Sequence, residues 1–209
     1  NYIMPIMIGA RDMAFPRLNA LSWWVLFTAI PVLCSAWFLG GIPTGWTAYA
    51  PLSLQAGPGM NSFIATIIIF AVSTAVAGAN ITATVVAMRT KGMKWNRVPI
   101  FVIGATISVA LAIPAFPTFM LSQIQTAMDR MFATGFYDAH QGGSGWLYAH
   151  LFWIMGHPEV YVILLPGVAI LMELTPVFVR KPLFSYNAAV LGFAGIAGLS
   201  VLVWAHHMY

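Results

Sequence analysis

The sequence predicts an all-α, polytopic transmembrane helical bundle: five full spans plus the end of an earlier one. Three observations carry this. Of 209 residues, 60% are apolar and only 7% charged, whereas a soluble domain carries roughly 25% charged residues. Mean hydropathy is +0.85. Five stretches reach the ~20 apolar residues that a helix needs to cross a bilayer. Such a chain cannot cover a water-facing surface, which excludes a soluble globular protein, a disordered chain and a nucleic-acid binder. A transmembrane β-barrel is excluded as well, because the apolar runs are too long and do not alternate.

The elements follow in order. Asn1–Ile8 (NYIMPIMI) reads as the tail of an earlier span. The full spans are predicted at Ala20–Leu39, Ser62–Met88, Ile100–Leu121, Leu147–Leu174 and Ala188–Tyr209. Pro31, Pro114, Pro117 and Pro166 fall inside them, which neighbouring helices can tolerate by satisfying the freed backbone groups. Trp23, Trp24, Trp37, Trp46, Trp95 and Trp146 fit interfacial belts. The chain starts at Asn1 without Met or a charged leader and stops behind a His-His pair inside an apolar run. It therefore reads as an internal fragment, residues 1–209, of a single larger membrane domain.

The loops set the orientation. Arg11 and Arg17, then Arg89, Lys91, Lys94 and Arg97, then Arg180 and Lys181 occupy alternate connections and hold eight of the nine basic residues. The positive-inside rule turns these loops toward the cytoplasm or matrix. On the other side, Gly40–Gly59 is uncharged and Ser122–Gly145 holds Asp129, Arg130 and Asp138. The net charge of +4 thus reports orientation rather than a nucleic-acid partner. Cys34 is the sole cysteine, so neither an intrachain disulfide nor a thiolate cluster is possible.

Polar groups at mid-span are costly and are functional candidates for that reason. Glu159 lies about 18 Å along the fourth span by helix rise and needs a partner, a water chain or a proton there. The bland alternative is a protonated carboxyl locking helices together. His157 and Tyr161, four residues apart, share a helix face, and their side chains can touch. Glu159 points to the opposite side. Trp153, four residues before His157, can stack on that imidazole. In the last span His206 and His207 fan about 100° apart, so an ion can use both only by lying between them. Three imidazoles without a thiolate suit copper or zinc better than iron or nickel. His140 and His150 read as structural or interfacial, and the 12 methionines as core filler rather than a copper relay. Ser73, Thr74 and Asn80 read as helix glue, and Asp12 as a surface acid.

At this point the motifs become specific. GHPEVY at Gly156–Tyr161 and WAHHMY at Trp204–Tyr209 resemble the copper-site motifs of subunit I of haem-copper terminal oxidases. Asn1–Trp24, TGWTAYAPL at Thr44–Leu52 and LYAHLFW at Leu147–Trp153 resemble the same family, in family order across the whole chain. The resemblance implies a subunit of about twelve helices, of which this is a piece. It implies that His157, His206 and His207 bind the copper called Cu-B, facing a high-spin haem where dioxygen is reduced. Tyr161 would be covalently joined to His157 and Trp153 would pack against the copper ligands. Asp12 matches the mouth of the family's D-type proton channel, Asn1 and Asn19 the asparagines above it, and Ser73, Thr74 and Asn80 its polar middle. Glu159 matches its gating carboxyl. The haem axial ligands fall outside the fragment, so it holds neither haem iron alone. Tyr161 argues against the nitric-oxide-reductase relatives.

Two departures stand out. Met172 replaces a K-channel serine of many relatives, and YDAHQGGSGW departs from the usual Asp-Pro outer loop, which points to a prokaryotic plasma membrane rather than a mitochondrial inner membrane. The expected activity is reduction of dioxygen to water coupled to proton pumping. Cytochrome c is the expected donor, reached through other subunits, with oxidase subunits II and III as partners and a quinol oxidase as the alternative. A non-enzymatic ion transporter would also place Glu159 and histidines at mid-span, but it requires neither Tyr161 at that spacing nor the His206-His207 pair.

Overall fold

The structure, a computed structural model, describes residues 1–209 and contains helices and no strands. Five helices are long and apolar enough to cross a membrane, as the sequence predicts. The order is α1 (Ile3–Met7), α2 (Pro16–Phe38), α3 (Leu52–Gln55), α4 (Gly59–Ala87), α5 (Ile100–Phe132), α6 (Gly145–Val179) and α7 (Tyr186–Val203), with short 3-10 turns between and after them.

α2 begins with Pro16 in its first turn, where a missing N–H costs nothing. Its entry is gripped from α4: the backbone N–H of Ala14 donates to Thr84 Oγ1 at 2.9 Å and that of Phe15 to Asn80 Oδ1 at 2.9 Å. The segment expected to end an earlier span contributes α1, whose Met4 and the following Ile8 are buried, and Thr90 N–H donates to Ile8 O.

Helix ends shift by a few residues from the expected spans, as at Pro16 and Val179, and two differences change the architecture. The third span does not stop at Leu121, because α5 continues for three more turns to Phe132. Its 33 residues span about 50 Å by helix rise, well beyond a ~30 Å hydrocarbon core. Hydropathy ends the span where polar residues begin, yet Ser122, Gln123 and Thr126 are fully buried: the two hydroxyls donate to carbonyls of their own helix, and Gln123 Nε2 donates to the Tyr148 hydroxyl while its Oε1 has no partner. The helix ends only at Ala133, whose φ of 51° turns it left-handed. The last span is also not α-helical throughout: Trp204–Met208 tightens into a 3-10 turn, which rotates successive side chains by about 120° rather than 100°.

Packing is sequential, α2 on α4, α4 on α5, and most extensively α5 on α6, with α7 against α5 and α6. Gly104 makes the α5–α6 contact possible, since a Cβ there would collide with that of Ala169. Two cores result. One, toward the basic loops, gathers Ile8, Val85, Ile100, Leu165 and Phe193. The other, at the far end, is aromatic and includes Phe63, Phe119, Tyr148, Phe152 and Trp153.

Acids fasten the far-end α5–α6 connection. Asp129 accepts from Thr134 Oγ1 and from the N–H groups of Phe136 and Tyr137. Asp138 accepts from the His140 N–H and the Gln141 side chain, and these donors, His140 first, hold its carboxyl below the usual range. Burial, with Tyr148 and Asp129 nearby, pushes the Tyr137 hydroxyl well above its ordinary value, so it stays a donor, to Gln125 Oε1 at 2.7 Å.

Candidate metal centre

α6 carries His157, and the 3-10 turn after α7 carries His206 and His207. The three imidazoles converge, each offering a ring nitrogen, with these atoms all within 4.8 Å of one another. His157 Nδ1 lies 3.2 Å from His207 Nε2. Two imidazoles on one tetrahedral ion at 2.0–2.1 Å would place their nitrogens about 3.3 Å apart, so this pair has the bite of a chelate. The His206 and His207 ring centroids are 3.9 Å apart, so the adjacent side chains bend back toward one ion site despite the wide angle of a 3-10 turn. An all-nitrogen set of three suits copper or zinc, and the residues present fit such an ion.

His157 Nε2 is buried with no hydrogen-bond partner. The nearest chemistry one turn on is Tyr161, whose ring centroid is 5.1 Å from that of His157, the planes tilted by 49°. The two side chains are neighbours on one face, as their spacing predicts.

Trp153 corrects the sequence reading. It does not stack on His157 but on His207, with centroids 3.4 Å apart and planes 1° from parallel. The Cα of Gly156 makes the room, since a Cβ there would sit 2.7 Å from Trp153 Cε3. The indole is held from behind by Trp46, edge-on at 5.8 Å, and its N–H donates to the Tyr49 hydroxyl. Trp204 Nε1 donates to His150 Nδ1 at 3.3 Å, so His150 ties down the turn bearing the ligands. His140 stays exposed in its loop.

The residues assigned to a proton path are not gathered at the cluster. Asp12 is exposed and accepts from the Met13 N–H at 2.7 Å. Asn1 is exposed. Asn19 is half-buried, with its Oδ1 enclosed and unpartnered. Ser73 donates to Ser22 O at 2.7 Å and Thr74 to Phe70 O at 3.0 Å. Asn80, fully buried, both accepts from and donates to the Phe15 backbone. Glu159 is half-buried on α6, outside the three-imidazole cluster.

The sequence reading missed Tyr148, Gln123 and Arg130. Tyr148 donates to Thr47 O at 2.7 Å and receives Gln123 Nε2 at 3.0 Å. No spacing rule links residues so far apart. The one available signal was that Arg130 is the sole cation in the far-end loops.

Membrane-length helices that bring three imidazoles together at a helix junction define a polytopic membrane protein with a candidate transition-metal centre. The chain belongs to the cytochrome c and quinol oxidase polypeptide I family, whose profile matches residues 1–209. It is 43% identical over its whole length to a Bacillus subtilis protein named cytochrome c oxidase subunit 1, covering 34% of that relative. It is 40% identical to a probable quinol oxidase subunit 1 of Staphylococcus haemolyticus and 39% identical to an alternative cytochrome c oxidase subunit 1 of Bradyrhizobium diazoefficiens, covering 32% and 38% of them. The chain thus spans about a third of the length of these curated relatives.

Proposed function

We propose that residues 1–209 are the copper-binding part of the catalytic membrane domain of a proton-pumping terminal oxidase that reduces dioxygen to water. The observation that carries this reading is the 3.2 Å approach of His157 Nδ1 to His207 Nε2 beside His206. His157, His206 and His207 hold copper. When bound, copper would supply electrons to dioxygen together with a haem held elsewhere in the full-length polypeptide.

The chain's own residues supply the rest. Tyr161 would be joined to His157 through the imidazole nitrogen left without a partner, one C–N bond replacing the imidazole N–H and a phenol ring C–H, with the two protons and two electrons passing to dioxygen, and its phenol would then donate a proton and an electron. Trp153 braces the ligand His207. Glu159 carries protons at mid-membrane, loaded from Asp12 by way of Asn1, Asn19, Ser73, Thr74 and Asn80. Proton transfer over that distance exceeds the reach of one side chain, so these groups hold water in a line.

The donor is cytochrome c, its electrons arriving by way of other subunits of an assembly that includes subunits II and III, in the plasma membrane of a prokaryote; two relatives named as cytochrome c oxidases favour it. A quinol donor is the second reading, favoured by relatives in two Staphylococcus species named as probable quinol oxidases. Turnover of the purified complex with reduced cytochrome c and with a quinol separates the two.

His206→Ala in the full-length polypeptide, assembled with its haems and partner subunits, tests the site. Copper bound at the three histidines should be lost and oxygen consumption abolished while the low-spin haem spectrum persists. Full activity with wild-type copper content refutes the assignment.

A further inference from the structure

We infer that Arg130, at the far end of α5, is a positioning residue for the metal centre, acting through the Gly40–Pro58 connection that seats Trp153 on His207. The inference rests on the copper reading above, and deepens it.

The side chain of Arg130 meets five oxygens and no carboxylate. Its Nε donates to Asn61 Oδ1 at 2.7 Å. Its Nη1 is shared among the carbonyls of Ser53, Leu54 and Ala56, and Nη2 donates to Gly57 O at 3.0 Å. Asp129, adjacent in sequence, is turned to the 134–137 segment instead. The guanidinium thus fills a cage of backbone oxygens around the end of α3. Such a fork of fixed donors matches several acceptors at once, and bonds to a charged donor are stronger than neutral ones. It is the only such grip of a cation on this connection.

The other end of the same segment faces the metal centre. Trp46 and Tyr49 hold the indole of Trp153 by an edge contact and a hydrogen bond, and Trp153 lies flat on His207. A second strap reaches the middle: Gln123 on α5 donates to the Tyr148 hydroxyl, which donates to Thr47 O. Both straps start from the three turns of α5 beyond Leu121. This extension is the post to which the connection is tied, and only Arg130 ties it by charge. Releasing the guanidinium frees residues 49–57 to move and lets Trp153 leave its stacked position.

The test uses the assembled, haem- and copper-loaded complex with Arg130→Gln and Arg130→Lys. Two readouts are taken: hydrogen exchange at the amides of residues 49–57, and the infrared C–O stretch of carbon monoxide bound to the reduced copper. In Arg130→Gln these amides should exchange about tenfold faster, copper content should hold, and the C–O band should shift or broaden. Arg130→Lys, a point charge without the fork, should fall between. Tyr49→Phe, which cuts the link at its other end, should change the band in the same way without speeding exchange around Ser53. Faster exchange with an unchanged band would make Arg130 a loop anchor only and overturn the inference, as would unchanged exchange. If Arg130→Gln fails to assemble, Asn61→Ala, which removes one oxygen of the cage, decides by the same two readouts. Absence of copper from the wild-type complex sinks the copper reading itself, a result distinct from a loaded site that ignores Arg130.

Discussion

The indole of Trp153 and the imidazole of His207 lie parallel at a centroid separation of 3.4 Å, although 54 residues separate them. The stack covers a flat face of one ring of the candidate copper site and leaves its ring nitrogens, which lie in the ring plane, free to bind. Aromatic pairs contribute about 0.5–1.5 kcal/mol beyond area burial. Trp153→Phe should therefore keep copper but hold it less firmly, with chelator-driven release up to about tenfold faster. Copper retained against a chelator over time, measured per haem, checks this. Release at the wild-type rate would deny the stack any part in the site.

The proton route and the structural reading of its residues make opposite demands. Asp12 is exposed, so Asp12→Asn should leave thermal stability unchanged while slowing turnover and abolishing pumping. Asn80 holds the Phe15 backbone by two bonds. Asn80→Ala leaves the Phe15 N–H without its partner at this part-buried contact, while the Phe15 carbonyl keeps the Asn19 N–H, and should cost about 1 kcal/mol, seen as a lower melting temperature whatever happens to pumping. Proton release per electron in vesicles, beside the melting curve, separates the two. Wild-type pumping in Asp12→Asn ends the route.

Gly104 on α5 packs directly against Ala169 on α6, with no room for a Cβ. Gly104→Ala forces the helices apart and should destabilise by about 1–3 kcal/mol, the usual cost of overpacking. Ala169→Gly in the same chain should restore part of that loss, because the two positions share one contact. Melting curves of the two single variants and the double variant are compared. Strictly additive losses would show that the collision is absorbed elsewhere.

Asp138 sets a pH dependence. Its carboxyl is held below the ordinary value by the His140 N–H and then the Gln141 side chain. For a depressed group the stabilisation is fully present above the unfolded pKa and is lost as pH falls through the folded one. The Asp138–Gly143 turn should therefore stay ordered at and below the ordinary aspartate pKa of 3.8 and loosen only in stronger acid. Asp138→Asn, which cannot ionise, should remove this acid transition. Hydrogen exchange at Gln141 and Gly143 across acidic pH reads it directly.

The number of spans, their order and the pairing of His157 with Tyr161 on one helix face were legible in the sequence, because each depends on local hydropathy or on helical spacing. The placement of a His-His pair behind the last span was equally plain. The extension of α5 to Phe132 was not: hydropathy marks where a helix leaves hydrocarbon, not where it stops, and the polar groups of this stretch, Gln123 Nε2 and the Arg130 guanidinium, find acceptors on other elements. The partner of Trp153 was also decided by tertiary structure. Spacing along α6 offered His157, but the 204–208 turn crosses that face and brings His207 flat against the indole. Asn80 could be read as glue or as a channel group, and only the approach of Phe15 from α2 shows its amide bonded on both sides. Local chemistry fixes what each helix presents; which group meets it depends on how helices distant in sequence pack.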